Sequence, residues 1–345
     1  MRVSVIEDAK DAKGRKGRKG ERSGNEISIV QSLFLRPLRP FASFASKKCS
    51  FRPAPTSAVT STDPPAPSPW RQLFADAAVA LPIGLLLVLA LASVLTPWVW
   101  PHAPGQPYWG QDLLPPGLSH GHWLGTDAIG RDMLARTMAG IGVSLAIGLG
   151  AGLLALLLGG LIGGAAGYLG GWVDELLMRL NDLLLSLPLM LIAILLIALF
   201  EPSLLLLIVV VGGFGSLDAA RILRIEARRL RDTEFMLASR MQGASAYQQW
   251  RGHLLPNLLP VALTALGTVV PQAILVESFL AFLGLGPSER VGSLGTLLAE
   301  GVQDLQWAPW TLWVPALALA LVLLGFGLAG DALRARLRSV TGGSA

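Results

Sequence analysis

From Gly140 to Leu169 the chain runs for thirty residues without one charged side chain. A hydrocarbon layer about 30 Å thick is crossed by roughly 20 apolar residues in helical form. A helix that is apolar all round has no face to offer to water, so this segment belongs in a membrane or a very large core. The rest of the sequence selects the membrane. Hydrophobic residues make up 52% of the chain and charged residues 15%, against about 25% charged in soluble domains, and the mean hydropathy is +0.55. Further runs of the same kind are Ala77–Leu95, Leu183–Phe200 (extending back toward Leu176), Ser203–Ala220, Leu258–Gly286 and Trp310–Gly330. The expectation is an all-α polytopic membrane protein with six transmembrane helices, spanning about 77–95, 140–169, 176–200, 203–220, 258–286 and 310–330.

The ends differ from this body. Every lysine (10, 13, 16, 19, 47 and 48) lies in the first 48 residues. Residues 1–69 combine a basic low-complexity run with a Pro/Ser/Thr linker and read as a disordered tail. No apolar core followed by a cleavage site marks a signal peptide. No methionine lies between Met1 and Met133, so a native start at a non-AUG codon near Val59 is also open. Residues 70–338 form the membrane domain, and 339–345 a C-terminal tail. Arginine sets the orientation. The basic N-terminus, Arg179, the arginines between 221 and 251, and Arg334, Arg336 and Arg338 fall on one side of the spans. Arg131, Arg136 and Arg290 fall on the other. The positive-inside rule then places both termini in the cytoplasm. Trp98, Trp100, Trp109, Trp123, Trp307, Trp310 and Trp313 gather on the outer side as an aromatic belt.

One polar stretch interrupts the apolar half, residues 234–257, "EFMLASRMQGASAYQQWRGHLLPN". Leu237, Met241, Tyr247, Trp250 and Leu254 recur at helical spacings. Gly243 suits the residue just past a helix end, and Ser245 with Gln248 forms a Ser-x-x-Gln capping box. The pattern predicts helix, sharp turn, helix. Its apolar stripe fits either a groove on another protein or the lipid interface.

Within this stretch "LASRMQGASAYQQWRGHLLP" resembles the cytoplasmic signature E-A-A-x3-G-x9-I-x-L-P of permeases in binding-protein-dependent ABC importers. Ala238, Gly243, Leu255 and Pro256 match. Ser239 replaces the second Ala, His253 stands at the Ile position, and Leu237 stands where the Glu would be. "HWLGTDAIGRDMLAR" (122–136), "GYLGGWVDELLMRLNDLLLSLPLML" (167–191), "ESFLAFLGLG" (277–286) and "GDALRARL" (330–337) are similar to the shorter permease subunit of the dipeptide/oligopeptide/nickel branch. The resemblance covers about residues 70–338. It implies a type I ABC importer permease fold in a bacterial inner membrane, with the hairpin as a coupling helix docked on a separate ATPase. Leu237, Ala238, Ser239, Gly243, Ala244, Ser245, His253, Leu255 and Pro256 would make that contact. The implied partners are a longer homologous permease, two ATPase subunits carrying ATP and magnesium, and a periplasmic or lipoprotein binding protein. Peptides are the implied cargo. Import of nickel or another small solute by the same architecture, or an ATPase-independent secondary transporter, are the alternatives.

Nothing in the chain suggests its own catalysis. No GxxxxGK[ST] phosphate loop occurs, and the lone Cys49 excludes a cysteine-based zinc site. The four histidines read as scattered, with His120 and His122 in an ordinary polar loop. "GTDAIGRD" (125–132) lacks calcium-loop spacing and reads as a turn and helix start. Glu277 and Gln272 in the fifth span are candidates for a translocation path or gate, with a structural hydrogen bond as the other reading of Glu277. Arg179–Asp182, Asp218–Arg221 and Asp331–Arg334 have the i,i+3 spacing of structural ion pairs. Pairs such as Gly159/Gly163 predict close helix packing. Pro188, Pro260 and Pro271 predict kinks.

Overall fold

The computed structural model describes residues 77–117, 121–200, 203–287 and 292–342. The expected tail at 1–69, His120 and Arg290 lie outside these. The described residues are helical with irregular connections: α1 (Ala77–Val99), α2 (Met133–Leu169), α3 (Gly171–Leu185), α4 (Leu189–Leu199), α5 (Leu204–Arg231), α6 (Glu234–Met241), α7 (Ala246–Gln249), a π-helical turn (Trp250–Leu254), α8 (Leu255–Leu280) with a second π turn (Ala281–Leu285), α9 (Leu294–Gln303) and α10 (Trp310–Gly342).

Among the described residues five helices are long and apolar enough to cross a membrane, and six spans result only if α3 and α4 count as one. This corrects the expectation of a continuous third span over 176–200. The chain breaks at Ser186–Pro188 and turns by 76°. Proline lacks the N–H that would continue the helix and restricts the residue before it, and Pro188 sits as N-cap of α4 at φ −68°, ψ 107°. The eleven residues of α4 reach only roughly 16 Å. The other spans run longer than the apolar runs suggested. Helix α5 continues past Ala220 to Arg231, and α10 to Gly342, so a separate tail at 339–345 does not hold up to that residue. Helix α9 was not foreseen.

Helix α2 is the hub, and its contact with α5 is the most extensive of any helix pair. The sequence provides for this through glycines one turn apart. A Cβ on Gly163 would lie 2.1 Å from the carbonyl oxygen of Ala220, and one on Gly159 would lie 2.6 Å from the Ala219 methyl. Helices in lipid associate by packing rather than by the hydrophobic effect, so small residues that bring backbones together supply the contact. Beyond this seam Ile147 and Ala151 of α2 meet Leu207 and Val211 of α5 and Ala273 of α8. A second core joins Ile141 and Leu145 to Val270 and Ile274 of α8 and Val322 of α10. Gly163→Ala forces the α5 backbone outward. It is expected to cost about 1–3 kcal/mol, the usual range for overpacking, read as a lower melting temperature in detergent.

Candidate functional site

The polar stretch folds as its local residues dictate. Gly243 adopts φ +81°, a left-handed conformation that costs other residues roughly 1–2 kcal/mol. Its N–H donates to the Arg240 carbonyl (3.0 Å) and closes α6. The capping box is complete: the Ser245 hydroxyl accepts from the Gln248 N–H (3.3 Å) and the Gln248 side chain accepts from the Ser245 N–H (2.8 Å). Two short helices therefore meet at an elbow between α5 and α8.

The elbow has two faces with opposite fates. Inward, Met236, Leu254 and Leu258 are buried with Tyr168 of α2 and with Ala227 and Leu230 of α5, and Trp250 packs against them. A Cβ on Gly164 would strike the Trp250 ring at 2.7 Å, so the indole lies flush on α2. Gln249 is the polar clamp of this joint. Its Oε1 accepts from the Tyr168 hydroxyl (2.8 Å) and from Arg240 (3.3 Å), and its amide N–H donates to the Ala244 carbonyl (3.0 Å). Arg240 also stands over the Tyr168 ring. Outward, Leu237, Met241 and Tyr247 are 47%, 90% and 68% exposed. The foreseen stripe is thus divided: Trp250 and Leu254 anchor, while the other three face out. Of the remaining signature residues Ser239 is buried, Ala244 half-buried, and Ala238, Gly243, Ser245, His253, Leu255 and Pro256 exposed.

A cavity of about 460 Å³ opens where α3 breaks into α4, walled also by α2, α5 and α8. Its lining is apolar apart from Asp218 and Gln272. Glu277 is not part of it. Five residues beyond Gln272 on the same helix, it lies about 140° around the axis, where it is fully buried. There the Ser144 hydroxyl donates to its Oε2 (3.2 Å), and the same hydroxyl accepts from the Leu294 N–H (3.2 Å). Glu277 thus joins α2, α8 and the start of α9 and has no contact with the cavity.

The expected ion pairs are largely re-partnered. Arg179 pairs with Glu175, and Asp182 with Arg221 of α5 at 2.6 Å. This replaces both Arg179–Asp182 and Asp218–Arg221: Arg179 takes the i,i+4 partner on its own helix, and the Arg221 guanidinium crosses to the neighbouring helix, which a one-helix spacing rule cannot represent. Asp331 and Arg334 approach to 3.8 Å, and Arg334 also donates to Thr268. Asp174 binds both Arg224 and Arg228 of α5, tying α3 to the root of the elbow.

At the opposite end the connection before α2 docks on α9 and α10. "GTDAIGRD" is a turn and helix start, with Asp132 as N-cap of α2. Asp127 accepts from the N–H groups of Ile129 and Arg131, from Arg131 Nε (2.6 Å) and from Arg136 (2.6 Å). Both arginines also reach Glu300 of α9, at 2.9 and 2.7 Å. The Trp310 indole donates to the Thr126 carbonyl (3.0 Å), so the two tryptophan-rich connections converge on one end. Burial, with the negative charges of Asp127 and Glu300 nearby, pushes the Asp304 carboxyl above the usual range. Two of the four histidines come together here, while His253 lies on the elbow. The His102 and His122 rings stack with centroids 4.4 Å apart, and with Asp132 they form a close trio of possible ligands. His122 bonds Asp132 (2.8 Å) and Gln111 (2.7 Å) through its two nitrogens, so both ring nitrogens are engaged by protein partners in this structure.

Residues 155–339 match the family described as binding-protein-dependent transport system inner membrane component. The oligopeptide transport system permease protein OppC of Escherichia coli K12 is 40% identical over 264 residues, spanning 76% of this chain and 87% of that protein. The dipeptide transport system permease protein DppC of Bacillus subtilis 168 is 36% identical over 268 residues, spanning 77% and 82%. OppC of Mycobacterium tuberculosis is 34% identical over 270 residues, spanning 76% and 91%. Among solved structures, the inward-facing methionine ABC transporter MetNI aligns with a TM-score of 0.49 and 20% identity, over 59% of this chain and 97% of that one. On the strength of the sequence matches, the chain belongs to the binding-protein-dependent transport system inner membrane components: it is a multi-pass inner-membrane permease subunit and not an enzyme.

Proposed function

We propose that this chain is the shorter permease of a peptide importer, that its elbow is seated on an ATPase subunit, and that a longer homologous permease completes the pathway. The observation that carries the coupling role is the two-faced elbow. Its inner face is locked to α2, α5 and α8 through Gln249, Trp250 and Leu254, while its outer face offers Leu237, Met241 and Tyr247 around a tight glycine turn. An exposed apolar helical surface suits a groove on a partner, and a rigid root lets a displacement of the elbow move three spanning helices together. A separate ATPase as the site of hydrolysis fits a sequence in which no GxxxxGK[ST] phosphate loop occurs. Both termini and the elbow would lie in the cytoplasm. Peptides are the favoured cargo because the relatives are named as oligopeptide and dipeptide transport permeases. A binding protein would deliver them.

The test is reconstitution of the chain with its neighbouring permease, ATPases and binding protein in liposomes. ATP-dependent accumulation of a labelled tripeptide is the expected result. Accumulation that needs no ATPase, or an elbow that crosslinks only to lipid, would overturn the reading.

A further inference from the structure

The cavity at the α3–α4 break contains a carboxylate with no protein partner. Val211, Phe214, Gly215 and Asp218 follow one another at helical spacing on α5, and all four line it. The neighbouring cations are engaged elsewhere: Arg221 bonds Asp182 (2.6 Å) and Arg224 bonds Asp174 (2.8 Å). Among the described residues none forms an ion pair or hydrogen bond with Asp218. A carboxylate within a spanning helix is costly and normally faces a partner or a water-filled path. Here it faces a space in the size range of small-molecule sites, with the Gln272 amide as the other polar group and aliphatic or aromatic side chains over most of the remainder.

We infer that Asp218 and Gln272 form a transient site for the primary ammonium group of the transported solute. The carboxylate supplies the countercharge, the Gln272 carbonyl can accept a second N–H, and the apolar walls tolerate any side chain. One carboxylate rather than several keeps the site weak enough to release what it binds, as conduction requires. The inference rests on the peptide-importer reading, since peptides share an α-ammonium while their side chains vary.

The test places a reporter beside Asp218 and leaves Asp218 intact. In the assembled complex, with cysteine-free partner subunits and Cys49→Ser, Val276→Cys, on the cavity wall one turn from Gln272, is labelled by a water-soluble maleimide without the binding protein. Trialanine is expected to slow labelling, N-acetyl-trialanine is not, and Asp218→Asn is expected to weaken the protection about tenfold, the loss of one charge-assisted hydrogen bond. Asp218→Glu should restore it. Equal protection by both peptides, protection that survives Asp218→Asn, or no protection by trialanine would overturn the site. So would a position 276 that the reagent never reaches, or loss of the partner permease on purifying Asp218→Asn, which would make Asp218 an intersubunit ion-pair residue. Peptide uptake by the unmodified complex is scored separately. Its failure would sink the importer reading, whereas normal uptake without ammonium-dependent protection would sink only this site.

Discussion

A chain in which Leu237, Met241 and Tyr247 are all serine is expected to reach the membrane in normal amounts and to support no more than about a tenth of wild-type uptake. The reason is the division of the elbow. These three side chains project outward and contribute little to the fold, and substitutions at such positions usually change stability by within about 0.5 kcal/mol. In a protein interface, by contrast, a buried aromatic or aliphatic anchor is commonly worth about 2 kcal/mol, and losing one already reduces binding by more than tenfold. Two measurements check the outcome: retention of the ATPase by the solubilised permease, and peptide uptake normalised to membrane content. Full uptake by the triple variant would mean the outer face rests on lipid. Gly243→Val should have a smaller effect. A Cβ there meets open space, so only the cost of the left-handed backbone, roughly 1–2 kcal/mol, acts on the turn.

The elbow was legible in the sequence because its determinants are local. A glycine at φ +81° and a Ser-x-x-Gln box act within four residues, and both can be read one letter at a time. The spans were legible as composition. What escaped was direction and pairing. Leu183–Phe200 reads as one apolar run, yet Pro188 turns it through 76°, since hydropathy records what a segment is made of and not where it points. Arg221 lies three residues from Asp218 but bonds Asp182, thirty-nine residues away, and that re-partnering is what leaves the cavity carboxylate free. Gln249 was hidden by its neighbour Gln248, whose capping role is local. Its own value depends on Tyr168, eighty-one residues earlier in the chain. His102 and His122 stack only because the connection before α2 folds back on itself. Glu277 was recognised as unusual, but only helix rotation separates it from the Gln272 face.

The largest loss of stability is expected from Asp127→Ala, about 3–5 kcal/mol, the usual penalty for removing one partner of a buried ion pair. The Asp127 side chain is 5% exposed and Arg136 6%, so water cannot replace what the carboxylate supplies. Its two oxygens satisfy two guanidinium groups and two backbone N–H groups of the turn. Without it, the buried Arg136 charge is shared only with Glu300, whose side chain is 44% exposed. The same carboxylate joins the connection before α2 to α9, so the loss should appear both as a lower melting temperature in detergent and as faster proteolysis of residues 121–132. Arg136→Met alone should be damaging for the mirror-image reason, because it leaves Asp127 with the more exposed Arg131. The double variant Asp127→Ala with Arg136→Met should lose clearly less than the two single losses added together, since it leaves no uncompensated buried charge. Strict additivity, or an Asp127→Ala shift below about 1 kcal/mol, the scale of an exposed pair, would show that the network is solvated and does not hold this end of the permease together.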